Sequence, residues 1–149
     1  MSANSDLMVR FTDECWNKRN RNICRELLSE DCEHYMPGLE HPTVGPDGYQ
    51  QLVDYFIEGF QDTRFEIESA FGDGEQVCMV WTAHGTHAGP FNGVAPTGNK
   101  VVIHGVAVSK VSGGKIRHIV STFDNGEFTS QLSAHPAVAV EQWRKTARA

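Results

Sequence analysis

The side chains of this sequence that could move a proton lie in a few short stretches. HIVSTFDNGEF (118–128) runs from His118 through apolar residues to a carboxylate, Asp124. GTHAG carries His87, and CEHY carries His34 beside Tyr35. A carboxylate or imidazole set in an apolar wall has its charged form disfavoured, which tunes it for general acid/base work. Asp124 also fits a purely local task. With Glu127 three positions on, ahead of the amphipathic FTSQL, it has the spacing of a capping box, Asp replacing the usual Ser or Thr. Spacing leaves both roles open. His84 and His87 form H-x-x-H, but on a strand they point to opposite faces, which argues against a shared metal. The glycines of GPFNGVAPTG lack the strand-to-helix setting and the Lys-Ser/Thr ending of a phosphate cradle. Neither metal nor cofactor is expected.

Those residues depend on the elements around them. Leu7, Met8, Phe11 and Cys15 recur at helical spacing behind a cap at Asn4 or Ser5. Ile23, Leu27 and Leu28 predict a short second helix over about 20–28. SEDCEHYMPG leaves the helical pattern and turns at Pro37-Gly38, and Asp47 to Phe60 is helical again through Leu52, Tyr55, Phe56 and Phe60. The period then changes to two. RFEIESAF, QVCMVWTAHGTHA, VVIHGVAVSKV and KIRHIVSTFD read as strands, separated by turn and loop residues. Helices followed by an antiparallel meander predict an α+β fold. The expected form is a cone-shaped α+β barrel, its N-terminal helices packed on a strongly curved, mostly antiparallel sheet that encloses a pocket. The C-terminal HPAVAVEQWRKTARA predicts a further helix or tail, its Arg144, Lys145 and Arg148 suiting a helix C-terminus.

Strand alternation assigns faces. On the last strand Lys115, Arg117 and Ser121 share the wet face, and Ile116, His118, Val120, Thr122 and Asp124 the other. Val77, Met79, Trp81, Ala83, Gly85 and His87 form one set on the long middle strand, and Val101, Ile103, Gly105, Ala107 and Ser109 one set on the next. The predicted pocket face carries Trp81, His87, His118 and Asp124.

At 149 residues the chain fits one domain, 1–149, with a core over about 5–133 and a C-terminal tail or helix over about 134–149. A net charge of −6 argues against general affinity for nucleic acid or an anionic membrane, since both need a basic face. No run is long and apolar enough to span a membrane, and Cys15, Cys24, Cys32 and Cys78 form no C-x-x-C pair. Reduced thiols in the cytoplasm are the expectation.

The chain resembles the SnoaL-like polyketide cyclases of the nuclear transport factor two-like superfamily. The likeness rests on Trp16-Asn17, on V-x-M-V-W-T-A-x-G-T-H-A-G-x-F-x-G from Val77 to Gly93, and on APTG from Ala95 to Gly98. It continues through Gly114-Lys115-Ile116 to a closing D-x-x-x-x-x-x-Q-L from Asp124 to Leu132. The resemblance implies the α+β cone, assembly as a homodimer or higher homo-oligomer, and ring closure by intramolecular aldol chemistry without metal or cofactor. It implies an acid/base role for Asp124 and a pocket-facing His87. Where relatives carry a histidine after the second helix this chain has Tyr35, with His34 one place earlier. The expected catalytic set is therefore Asp124, His118, His87 and His34. Tyr35, Phe56, Phe60, Trp81 and Phe91 are expected to contact an aromatic or polycyclic, polyketide- or terpenoid-like substrate. A hydratase or epoxide-opening enzyme activating water with an Asp/His pair is one alternative, and a non-catalytic ligand-binding or dimerisation module the other.

Overall fold

The computed structural model describes residues 2–132. In chain order these form α1 (Ala3–Thr12), a π-helical turn (Asp13–Asn17), α2 (Ile23–Leu27), β1 (Leu28–Tyr35), β2 (Thr43–Val44), α3 (Gly45–Gly59), β3 (Arg64–Asp73), β4 (Gln76–Thr86), β5 (Lys100–Ser112), β6 (Lys115–Phe123) and α4 (Asn125–Gln131). The cap of α1 is Ser2, whose side chain accepts from the Ser5 amide. Asn4 is drawn away instead: its Nδ2 donates to Gly74 O and Val111 O, both at 3.2 Å. α3 begins two residues before Asp47 because Pro46, with its fixed φ, occupies the first turn, where its missing N–H costs nothing. The predicted C-terminal helix lies outside the described residues.

Six strands form one open sheet in the order β2-β1-β6-β5-β4-β3. β3 to β6 make the antiparallel meander that the alternation predicts. Leu28, placed in the second helix by the sequence pattern, and residues 29–35, which it leaves unassigned, add β1 parallel to β6 and make the sheet mixed. Helices and sheet share one core, with Met8, Phe11, Ile23 and Val53 meeting Val77, Met79, Val111 and Ile116. Each large apolar side chain buried there contributes roughly 1.5–3 kcal/mol. No helix among the described residues is long and apolar enough to cross a membrane.

One irregularity decides which residues face inward. β5 and β6 pair Val111 with Ile116 but Lys110 with His118, so Arg117 is an extra residue, a β-bulge. Side chains alternate, so one added residue exchanges the faces beyond it. Ile116 points inward as predicted. After the bulge Ile119, Ser121 and Phe123 take the inner face, opposite Ser109, Ala107 and Gly105. Val120, Thr122 and Asp124 are exposed, and the pocket-facing assignment of His118 and Asp124 is thereby corrected. On β4 and β5 the predicted faces hold: Trp81, His87, Val101, Ile103 and Ala107 are buried, His104 and Lys110 exposed.

Candidate active site

Between the helices and the inner sheet face lies a cavity of about 120 Å³. That is somewhat less than the roughly 150 Å³ of an apolar cavity that admits benzene. Most of the wall is hydrocarbon: Met8 and Phe11 from α1, Leu52 and Phe56 from α3, and Met79, Trp81, Ile103 and Ala107 from the sheet. Phe128 of α4 also lines the cavity, with its ring centroid 5.9 Å from Phe60 and 6.3 Å from Phe56. Gly105 lets the Trp81 indole lie flat on the sheet. The two residues are cross-strand partners, and a Cβ at Gly105 would lie far inside contact distance of the nearest indole carbon.

Within that apolar wall the polar groups are few, and most are committed. Thr12 Oγ1 donates to Met8 O at 3.0 Å, and Thr63 Oγ1 donates to Phe60 O. His84 reaches the wall from the other face of β4, its Nε2 3.1 Å from exposed Glu66. That Nε2 has no hydrogen bond among the described residues. His34 is different. β1 runs parallel to β6 with His34 beside Ile119, which sets its Nε2 3.1 Å from Ser121 Oγ. His34 is buried, its Nδ1 has no partner among the described residues, and its ring centroid lies 5.0 Å from that of Tyr49. Burial pushes its pKa down from 6.5 to about 4, which keeps the imidazole neutral near pH 7. A neutral imidazole against a serine hydroxyl can take a proton through one nitrogen or return it, so the pair can serve as base and acid in turn.

The expected site residues divide cleanly. His34, Phe56, Phe60 and Trp81 line the cavity together. Asp124 does not line it. It is exposed, and its carboxylate caps α4 by accepting from the Glu127 amide at 2.9 Å. His118 lies on the outer face, where its ring centroid is 5.4 Å from that of Tyr35. Tyr35 is exposed and its hydroxyl donates to Glu33. His87 is buried as the alternation requires, but its Nδ1 meets Thr97 Oγ1 at 3.0 Å and its ring stacks on Phe60. It fastens the 88–99 loop and lies outside the cavity lining. Phe91 packs behind Phe56 and Phe60 at 5.2 Å from each. Sequence reasoning missed Ser121, Tyr49 and Phe128. Tyr49 had a signal, since 49, 52, 53, 56 and 60 follow one helical stripe. No group of three His, Cys, Asp or Glu side chains among the described residues is placed to hold a metal ion.

The profile of the SnoaL-like polyketide cyclases matches residues 6–132. The chain belongs to the SnoaL-like polyketide cyclase family. Its fold is shared by a candidate SnoaL-like polyketide cyclase from Jannaschia sp. CCS1, at a TM-score of 0.80 and 22% identity over 88% of this chain and 92% of that one. IdmH, a candidate polyketide cyclase from Streptomyces antibioticus, aligns at 0.76 and 26% identity over 88% of this chain and 99% of its own. AclR, a candidate hydroxylase from Streptomyces galilaeus, aligns at 0.69 and 23% identity over 81% and 88%. No curated protein sequence matches the chain. The SnoaL-like cone thus holds neighbours described by two different reactions, and what this member does rests on its own cavity.

Proposed function

We propose that this SnoaL-like protein is a cofactor-independent cyclase or isomerase that moves protons on a polyketide-like small molecule inside the cone. The observation that supports this is the His34 Nε2···Ser121 Oγ contact of 3.1 Å, a base and a hydroxyl meeting in a wall that is otherwise nearly all hydrocarbon. A C–H bond next to a substrate carbonyl gives its proton to the imidazole, directly or through Ser121, and the electron pair passes into the enolate. The enolate carbon attacks a second carbonyl carbon of the same molecule, a C–C bond forms, and the new alkoxide takes the proton back. Mass is conserved and no oxidant is needed. The negative enolate offsets the cost of a buried imidazolium while both exist. Holding the reacting carbons together in a small apolar space supplies a further share of the acceleration.

The first half of this cycle is measurable without the natural substrate. Enzyme-dependent exchange of the enolisable C–H of an aryl 1,3-diketone in D2O, followed by NMR, reports the proton abstraction. His34→Ala is expected to lower that rate by about 10²–10⁴-fold, the usual share of general acid/base catalysis. Asp124→Asn, which keeps the cap and removes the carboxylate, is expected to leave it near wild type. The opposite pair of results returns the acid/base role to Asp124 and sinks the His34 assignment.

A further inference from the structure

Among the hydroxyls of the cavity wall, one keeps a proton with nowhere to go. Thr12 and Thr63 donate to backbone carbonyls of their own segments, and Ser121 is engaged with His34. Tyr49 is the exception. Its phenolic oxygen accepts from Trp16 Nε1 at 3.1 Å, and no acceptor among the described residues takes its own hydrogen. A phenol is both donor and acceptor, and a buried donor without an acceptor is rare in folded proteins. Both rings line the cavity, and Tyr49 is 7% exposed. The helical stripe of α3 holds Tyr49 against Phe11 at 5.2 Å and His34 at 5.0 Å, so the ring has little freedom to turn its hydroxyl elsewhere.

We infer that the Tyr49 hydroxyl is the hydrogen-bond donor for the substrate's reacting carbonyl oxygen, so that the ligand is an enolisable ketone or a phenol with that oxygen between Tyr49 and the His34–Ser121 pair. This deepens the proton-transfer reading and rests on it. Proton loss from carbon places negative charge on the carbonyl oxygen, and a preorganised O–H in a water-poor site stabilises that charge. The Trp16 N–H donated to the phenolic oxygen polarises its O–H and strengthens the bond it gives. Burial holds the Tyr49 phenol well above its ordinary pKa, so it remains a donor at any pH near neutrality. Trp16 touches no reacting atom; it is a positioning residue.

The test is binding, with two single-ring probes of nearly one shape. 4-Nitrophenol offers an oxyanion with its own absorption band, and 4-nitrotoluene has a methyl group in that place. Wild type is expected to hold the phenolate about tenfold or more tighter than the toluene, as a hydrogen bond to a charged group requires. Tyr49→Phe is expected to erase the difference while leaving 4-nitrotoluene affinity unchanged. Because that change also orphans the indole N–H, the double variant Trp16→Phe/Tyr49→Phe removes both partners. Recovery of phenolate preference in the double variant, or equal loss of both probes in Tyr49→Phe, gives Tyr49 a packing role and overturns the inference. Equal binding of both probes to wild type also overturns it, with the His34 proton-exchange result untouched. If neither probe binds wild type, the cavity is not a ligand site and the inference falls together with the proposed function.

Discussion

β1 and β6 carry an imidazole and a hydroxyl twice, once on each face. Inside, His34 meets Ser121. Outside, Tyr35 meets His118. Residue types are nearly the same and the chemistry is not. His34 is 4% exposed, and Tyr35 is 40% exposed. The outer hydroxyl is already given to the Glu33 carboxylate at 2.8 Å, whereas among the described residues the inner pair is hydrogen-bonded only to itself. Water competes for every polar bond on the outer face and for few on the inner one, so the same groups are worth more within. Burial and geometry make the site; a histidine on a strand does not.

The sharpest way to break that contrast is to remove each imidazole in turn. His34→Ala is expected to cost about 10²–10⁴-fold in proton exchange, while His118→Ala stays within a few-fold of wild type. Equal losses from the two would erase the distinction between faces.

A second contrast is thermodynamic. Burial lowers the His34 pKa from 6.5 to about 4. Between those values the unfolded chain holds a proton that the folded chain refuses, so stability falls as pH drops through the window. The loss begins below 6.5, is complete near pH 4, and amounts to roughly 3 kcal/mol for such a shift. Tyr49 and Ser121, the polar groups against His34, do not ionise there. The urea midpoint of wild type should fall relative to that of His34→Leu as pH drops through the window. An unchanged gap would show that His34 is charged in the folded state.

A smaller effect is expected where the wall is shaped by one missing side chain. Gly105→Ala puts a methyl group where the Trp81 indole lies, and the indole must move into the cavity. Overpacking of this kind costs about 1–3 kcal/mol. The thermal midpoint should drop and the affinity of a single-ring ligand should drop with it. A loss of stability with unchanged ligand affinity would mean that the ring moves elsewhere.

Period and turn chemistry were enough to read three helices, four strands and the cone they make, because each of those segments agrees with its tertiary setting. β1 was not legible. Glu30, Asp31 and Glu33 break its apolar pattern, and its partner β6 is more than eighty positions away, at Ile116 to Val120. The bulge was hidden too, although a trace of it exists. Ile116 and Ile119 are both fully apolar and both buried, a spacing that one face of a strand shows when it carries an extra residue between them. Misreading that one step exchanged Ser121 for His118 and Asp124 on the inner face. Phe56, Phe60 and Trp81 line the cavity because their positions are set on other elements, and His34 because β1 runs beside β6.

Asp124 gives the smallest predicted effect and the finest discrimination. Its carboxylate accepts from the Glu127 amide, and the helix it starts carries Phe128 into the cavity wall. Asp124→Ala removes the cap and is expected to cost about 0.5–2 kcal/mol, toward the lower end because α4 is short and mostly exposed. Asp124→Asn keeps an N-cap of equal rank, so its urea midpoint should stay within a few tenths of a kcal/mol of wild type. The denaturant slope should be the same for all three proteins, since a lost cap changes stability and not the surface exposed on unfolding. Ligand affinity should follow the same order, weakened a little by Ala and left intact by Asn, because only the Ala variant loosens Phe128. A carboxylate that acted on substrate would reverse this ranking: Asn would then be as damaging as Ala to turnover, at full stability.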